Sequence, residues 1–101
     1  MYGYIGPDGK WLIPPRFDDA LPFSEGLAAV RVGDADTGRW GYIDTSGTFV
    51  IQPRFTGAFL FSKGLALVVE DDYLRGQFDD NYKKLNWRHI DRSGNFVNKP
   101  E

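Results

Sequence analysis

Cysteine is absent from the 101 residues. That excludes a disulfide framework, a thiolate nucleophile and a cysteine-ligated zinc site. Histidine occurs once, at His89, too few for a histidine-based metal centre. Charge of one sign is also scarce. The formal net charge is -2 and the sequence pI about 5.3, whereas a binder of phosphate backbones needs a basic face. Nucleic acid is therefore not an expected partner. No run approaches the roughly 18 apolar residues of a membrane span. The N-terminus, Met1-Tyr2-Gly3-Tyr4-Ile5-Gly6, has neither the basic nor the apolar region of a signal peptide. The default expectation is a cytoplasmic chain. A sustained apolar period of 3.6 residues is missing too, and 12 glycines and 6 prolines interrupt every candidate helical window.

What is present is an internal repeat. Laying residues 3–30 over residues 41–68, with Gly3 on Gly41, gives 15 identities in 28 positions without a gap. Chance would give about two at ordinary composition. A third copy starts at Trp87. There Trp87, Ile90-Asp91, Ser93-Gly94 and Phe96-Val97 fall on Trp40, Ile43-Asp44, Ser46-Gly47 and Phe49-Val50. Copy one spans 2–39. Copy two spans 40–86 and contains an insertion, 70–86. A partial copy three spans 87–101, and the whole chain is expected to be one domain.

Each copy opens as a strand with alternating faces: Trp40, Tyr42 and Asp44 one way, Gly41 and Ile43 the other. Residues 45–47 form a turn in which Gly47 supplies a positive φ. A second strand, 48–52, is expected to stop at Pro53, because proline cannot donate to a ladder. A loop of about ten residues follows, with anchoring aromatics, before a third strand at 65–69, matched in copy one by 27–32. The expected fold class is all-β: tandem antiparallel hairpins and three-stranded meanders, 27–52 and 65–97, after a lone N-terminal hairpin. Whether the units close or stack is left open by the sequence. One unit cannot bury its own face, but neighbours can cover one another. The repeated apolar positions Ile5, Ile13, Ile43, Ile51, Ile90, Leu27, Leu65, Val30, Val68, Phe17, Phe23, Phe55 and Phe61 are expected to share one core.

The run from Trp40-Gly41-Tyr42-Ile43-Asp44, through Gly47 and Pro53, to Phe61-Ser62-Lys63-Gly64-Leu65-Ala66-Leu67-Val68 resembles the WG-repeat family of bacterial proteins. Copy one departs from the pattern at Tyr2 and Gly6, and copy three at Arg88 and His89. The resemblance covers nearly all of the chain. It implies a bacterial repeat module that serves interaction rather than catalysis.

The candidate sites are few. His89 stands where Tyr4 and Tyr42 stand, so it reads as an aromatic substitute in a strand. Asp91 lies two residues on, but Asp44 recurs at that place without a histidine. Asp34 and Asp36 have calcium-loop spacing without the further oxygen ligands such a loop wants, and read as an acidic turn. Asp18-Asp19 has no counterpart in copy two and reads as solvated loop. Arg16 and Arg54 recur before Phe17 and Phe55 and read as structural braces. The insertion 70–86 carries aromatics with no repeat counterpart. Tyr73, Arg75, Phe78 and Tyr82 are therefore the expected binding residues, since loops free of structural duty carry recognition.

These readings combine into a non-catalytic binding module with no catalytic residue, metal or cofactor. Its expected partner is another protein. The alternative is a glycan or cell-envelope ligand held by surface aromatics. Self-association through terminal strand edges is a further expectation.

Overall fold

The computed structural model describes residues 1–70 and 87–97. Within them lie ten strands and no helix: β1 (Tyr2–Ile5), β2 (Trp11–Phe17), β3 (Asp19–Ala20), β4 (Ala28–Val32), β5 (Arg39–Ile43), β6 (Phe49–Phe55), β7 (Gly57–Ala58), β8 (Leu65–Val69), β9 (Trp87–Asp91) and β10 (Phe96–Val97). Every pairing is antiparallel. The strands make three sheets, ordered β1-β2, β3-β4-β5-β6 and β7-β8-β9-β10. None of them closes into a barrel. Among the described residues no helix is long and apolar enough to cross a membrane.

The all-β repeat architecture is as the sequence implies, but three details differ. First, each meander gains a fourth strand. The two-residue strands β3 and β7 lie inside the stretches read as loop, because Ala20 and Ala58 pair with Val30 and Val68. Second, β6 does not stop at Pro53 but runs through it to Phe55. It can do so because β6 is an edge strand, where a missing N–H costs no ladder bond. It also bulges there. Trp40 and Tyr42 are two apart on β5, yet their partners Phe55 and Ile51 are four apart on β6.

Gly41 makes that bulge possible. A Cβ at this position would lie 2.5 Å from the Ile51 carbonyl oxygen and 2.7 Å from the Pro53 nitrogen. Gly3 faces Ile13, Pro14 and Pro15 in the same way. In copies one and two the glycine is thus a contact surface for the bulged backbone of the next strand. At the equivalent place in copy three the Arg88 guanidinium lies 3.9 Å from the Phe96 ring centroid.

Third, the apolar residues form two cores rather than one. Ile13, Phe17, Ala28, Val30 and Ile43 make a cluster against which Tyr4, Phe23 and Phe49 pack. Leu27, Ala29, Tyr42, Ile51, Phe55, Phe61, Val68 and Ile90 belong to a second. Tyr42 and Ile43 are neighbours on β5, so alternation puts the clusters on opposite faces of the middle sheet. A second bulge, with Val50 as the extra residue between the pairs Ile43↔Phe49 and Tyr42↔Ile51, sends Phe49 and Ile51 to opposite faces as well. The middle sheet is therefore the filling between the hairpin and the last sheet. Ile5, expected in the core, is 58% exposed, because among the described residues no sheet covers its side of the hairpin. Leu65 and Phe23 are only partly buried.

The sheets are out of phase with the repeats. Copy two supplies β5 and β6 to the middle sheet, and β7 and β8 to the last. The stack is staggered accordingly: β1 and β2 lie over β3 and β4, and β5 lies over β7.

Candidate functional site

A set of repeated polar contacts latches each sheet to the next. The hydroxyls of Tyr4 and Tyr42 donate to the carbonyls of Leu21 and Phe59 at 2.7 and 2.8 Å. Burial raises the Tyr4 phenol to about 12 and pushes that of Tyr42 up further, so both stay neutral donors. Arg16 and Arg54 donate to the carbonyls of Gly47 and Gly94, in the hairpin turns of the following copies. Their guanidinium groups lie 5.2 and 4.9 Å from the Phe17 and Phe55 ring centroids. These arginines are braces. The turn 24–27 supplies another latch. Glu25 and Gly26 both have positive φ, the geometry of a tight hairpin turn. The Glu25 carboxylate accepts from the Gly64 N–H at 2.8 Å in the equivalent turn of the next copy. Ser24 adds a bond from its hydroxyl to the Phe61 carbonyl.

On the last sheet no further sheet covers the same positions among the described residues. Leu65, Leu67, Trp87 and His89 occupy the places of Leu27, Ala29, Trp40 and Tyr42, and Phe59 that of Leu21. In the middle sheet these positions are buried in, or packed against, the second core. Here Phe59 is 46% and Trp87 43% exposed. Their rings stack on each other at 5.5 Å between centroids and 25° between planes. Leu60, Ser62, Lys63, Leu65, Leu67 and His89 line a hollow of about 430 Å³. Its floor is apolar, and its polar groups are one ammonium, one hydroxyl and one imidazole. Such a surface suits an apolar or aromatic side chain flanked by a carboxylate or carbonyl acceptor.

The other candidates serve the chain itself. Asp91 does not orient His89: its carboxylate accepts from the N–H groups of Ser93 and Asn95. Asp44 does the same for Ser46 and Thr48. Asp34 accepts from the Asp36 and Thr37 N–H groups and the Thr37 hydroxyl. The acidity of all three is raised, Asp44 chiefly by the Ser46 hydroxyl, Asp34 by the Thr37 N–H and Asp91 by that of Asn95. Asp18 and Asp19 are more than solvated loop. Asp18 accepts from the Gly33 N–H at 2.8 Å, and Asp19 lies in β3, 3.6 Å from the Arg31 guanidinium. Among the described residues no three His, Asp or Glu side chains group closely enough to share a metal ion. Tyr73, Arg75, Phe78 and Tyr82 lie outside the described residues.

The face on the last sheet is absent from the sequence reading, yet it left a signal. Where copies two and three depart from their predecessors, the changes Leu21 to Phe59, Glu25 to Lys63, Ala29 to Leu67 and Tyr42 to His89 converge on one surface. Comparison with known proteins places two matches to one family model, described as WG containing repeat, at residues 2–34 and 40–73. No curated protein and no solved structure is significantly similar to the chain.

Proposed function

The chain belongs to the WG-containing repeat family, and on that premise we propose that it is a non-catalytic module that binds another protein through the outer face of its last sheet. The observation behind this reading is the contrast between equivalent positions. Leu27, Ala29 and Tyr42 are buried beneath a following sheet, while Phe59, Leu60 and Trp87 stand exposed beside a hollow floored by leucine. Exposed aromatics grouped around an apolar depression are the usual anchors of protein recognition. The substitution of Lys63 for Glu25 favours a partner that brings an acceptor or a carboxylate to this edge. The insertion side chains Tyr73, Arg75, Phe78 and Tyr82 are proposed as the second contributor.

The test uses a displayed library of random peptides, with a glycan array in parallel. Selected peptides should carry an aromatic or leucine next to an acidic residue. Leu67→Glu should weaken their binding at least about tenfold, while Val50→Ser, on an exposed edge, should not. Phe78→Ala should weaken binding with stability changed by less than about 0.5 kcal/mol. Binding to glycans alone, or peptide binding indifferent to Leu67→Glu, would remove this face from consideration.

A further inference from the structure

The opposite end of the stack carries a different kind of opening, independent of the face just described. In both complete sheets the strand that opens a copy is flanked on both sides. β5 lies between β4 and β6, and β9 between β8 and β10. The flanking strand has one register in both cases. Ala28 stands opposite Ile43 and Val30 opposite Gly41; Ala66 stands opposite Ile90 and Val68 opposite Arg88. The strand β1 is the equivalent of β5 but pairs with β2 alone. Among the described residues nothing pairs with its other edge.

The sheet face beside that edge is uncovered as well. Ile43 and Ile90 are fully buried, and Ala28 and Val30 pack in one cluster with Ile43. Ile5, their equivalent, is 58% exposed, and Trp11, the equivalent of Phe49, is 53% exposed. A free edge with an uncovered isoleucine beside it is a template for strand addition.

We infer that β1 accepts an extended segment of another polypeptide as an added antiparallel strand, with the residue pattern Leu-Ala-x-Val. The register is fixed by the two internal examples. A small residue lies opposite Ile5, as the buried Ala28 does opposite Ile43 and Ala66 opposite Ile90. A β-branched residue lies opposite Gly3, as Val30 does opposite Gly41 and Val68 opposite Arg88. Main-chain hydrogen bonds along Tyr2–Ile5 supply affinity, and the alternating apolar side chains supply the choice of partner.

The probe is a fluorescein-labelled peptide with the sequence of residues 24–32, SEGLAAVRV, titrated with the full chain and followed by anisotropy. Saturable binding is expected in the range of about 10–100 µM, since a lone strand must be ordered on binding. Replacing Val30 by Asp within the peptide should abolish it. Ile5→Lys in the protein should weaken binding at least about tenfold, because a lysine on an edge strand blocks pairing. Ile5 is exposed, so that variant should keep the wild-type melting temperature. Leu67→Glu, at the other end of the stack, should leave peptide binding unchanged. Amide exchange at Tyr2–Ile5 should slow in the complex. Equal binding by the Val30→Asp peptide, binding unaffected by Ile5→Lys, or no slowing of exchange along β1 would each overturn the inference.

Discussion

Replacing Gly41 with alanine isolates the contact on which the bulged hairpin rests. The added Cβ would meet the Ile51 oxygen at 2.5 Å, the Pro53 nitrogen at 2.7 Å and the Gln52 carbonyl carbon at 2.9 Å. All three are backbone atoms, so no side chain can swing aside. The bulged part of β6 must retreat by close to one ångström to restore ordinary contact. It would then pull on Phe55, which is fully buried in the second core. Overpacking of this kind costs about 1–3 kcal/mol. Partial withdrawal of Phe55 adds roughly 1–2 kcal/mol, a fraction of the full burial of such a side chain. The stiffer unfolded chain returns about 0.4–1 kcal/mol. The net expectation is a loss of roughly 2–4 kcal/mol, from a total of about 5–15 kcal/mol for a domain. Urea unfolding with the slope held common would measure it. Gly64→Ala is the control. Gly64 has φ of 81° and nothing within 4 Å of an added Cβ, so its cost is conformational alone, about 1–2 kcal/mol. Gly41 is not in the left-handed region, so an argument from backbone angle would rank the two the other way. If Gly41→Ala lies within about 0.5 kcal/mol of wild type, or costs less than Gly64→Ala, the contact is not what the glycine is for.

Ile43→Ala should cost about 2–5 kcal/mol in the same assay, whereas Ile5→Ala at the equivalent but exposed place should change stability by less than about 0.5 kcal/mol. Tyr42→Phe removes the donor to the Phe59 carbonyl and should lower stability by about 1 kcal/mol, with the fold unchanged by circular dichroism. Asp34, Asp44 and Asp91 are more acidic in the folded chain than the ordinary value of 3.8. The stability they contribute is complete above that value and is lost as pH falls below it. An acid titration should show this loss, and Asp44→Asn should flatten it; a curve flat down to pH of about 2 would contradict the turn geometry.

The strands that face one neighbour on each side were legible because the sequence states them twice. Residues 27–32 and 65–69 are short, mostly apolar runs at matching places in two copies, and the hairpin glycines recur. Two things were hidden. Ile5 follows the same Gly-Tyr pair as Ile43, so local pattern assigns both to the core. Only the position of the hairpin in the stack exposes one of them, and position is a property of the whole chain. The passage of β6 through Pro53 was hidden for a different reason. A proline rule speaks of ladder bonds, and at an edge strand with a bulge there is no bond to lose. The face on the last sheet lay in the differences between copies, while the repeat draws the eye to the identities.

The phase difference between repeat and sheet has a consequence for how such an array could change its length. Copies one and two each supply a hairpin to one layer and begin the next, so neither four-stranded layer belongs to a single copy. A duplication or loss of 38 residues, the Gly3-to-Gly41 spacing, could start at any point within the period. It would still join the second half of one copy to the first half of another in the correct register. Every layer would be rebuilt whole, and the incomplete sheet would stay at the end of the stack. A lineage could therefore lengthen or shorten the stack through breakpoints scattered along the gene, without ever leaving a cut edge in its interior.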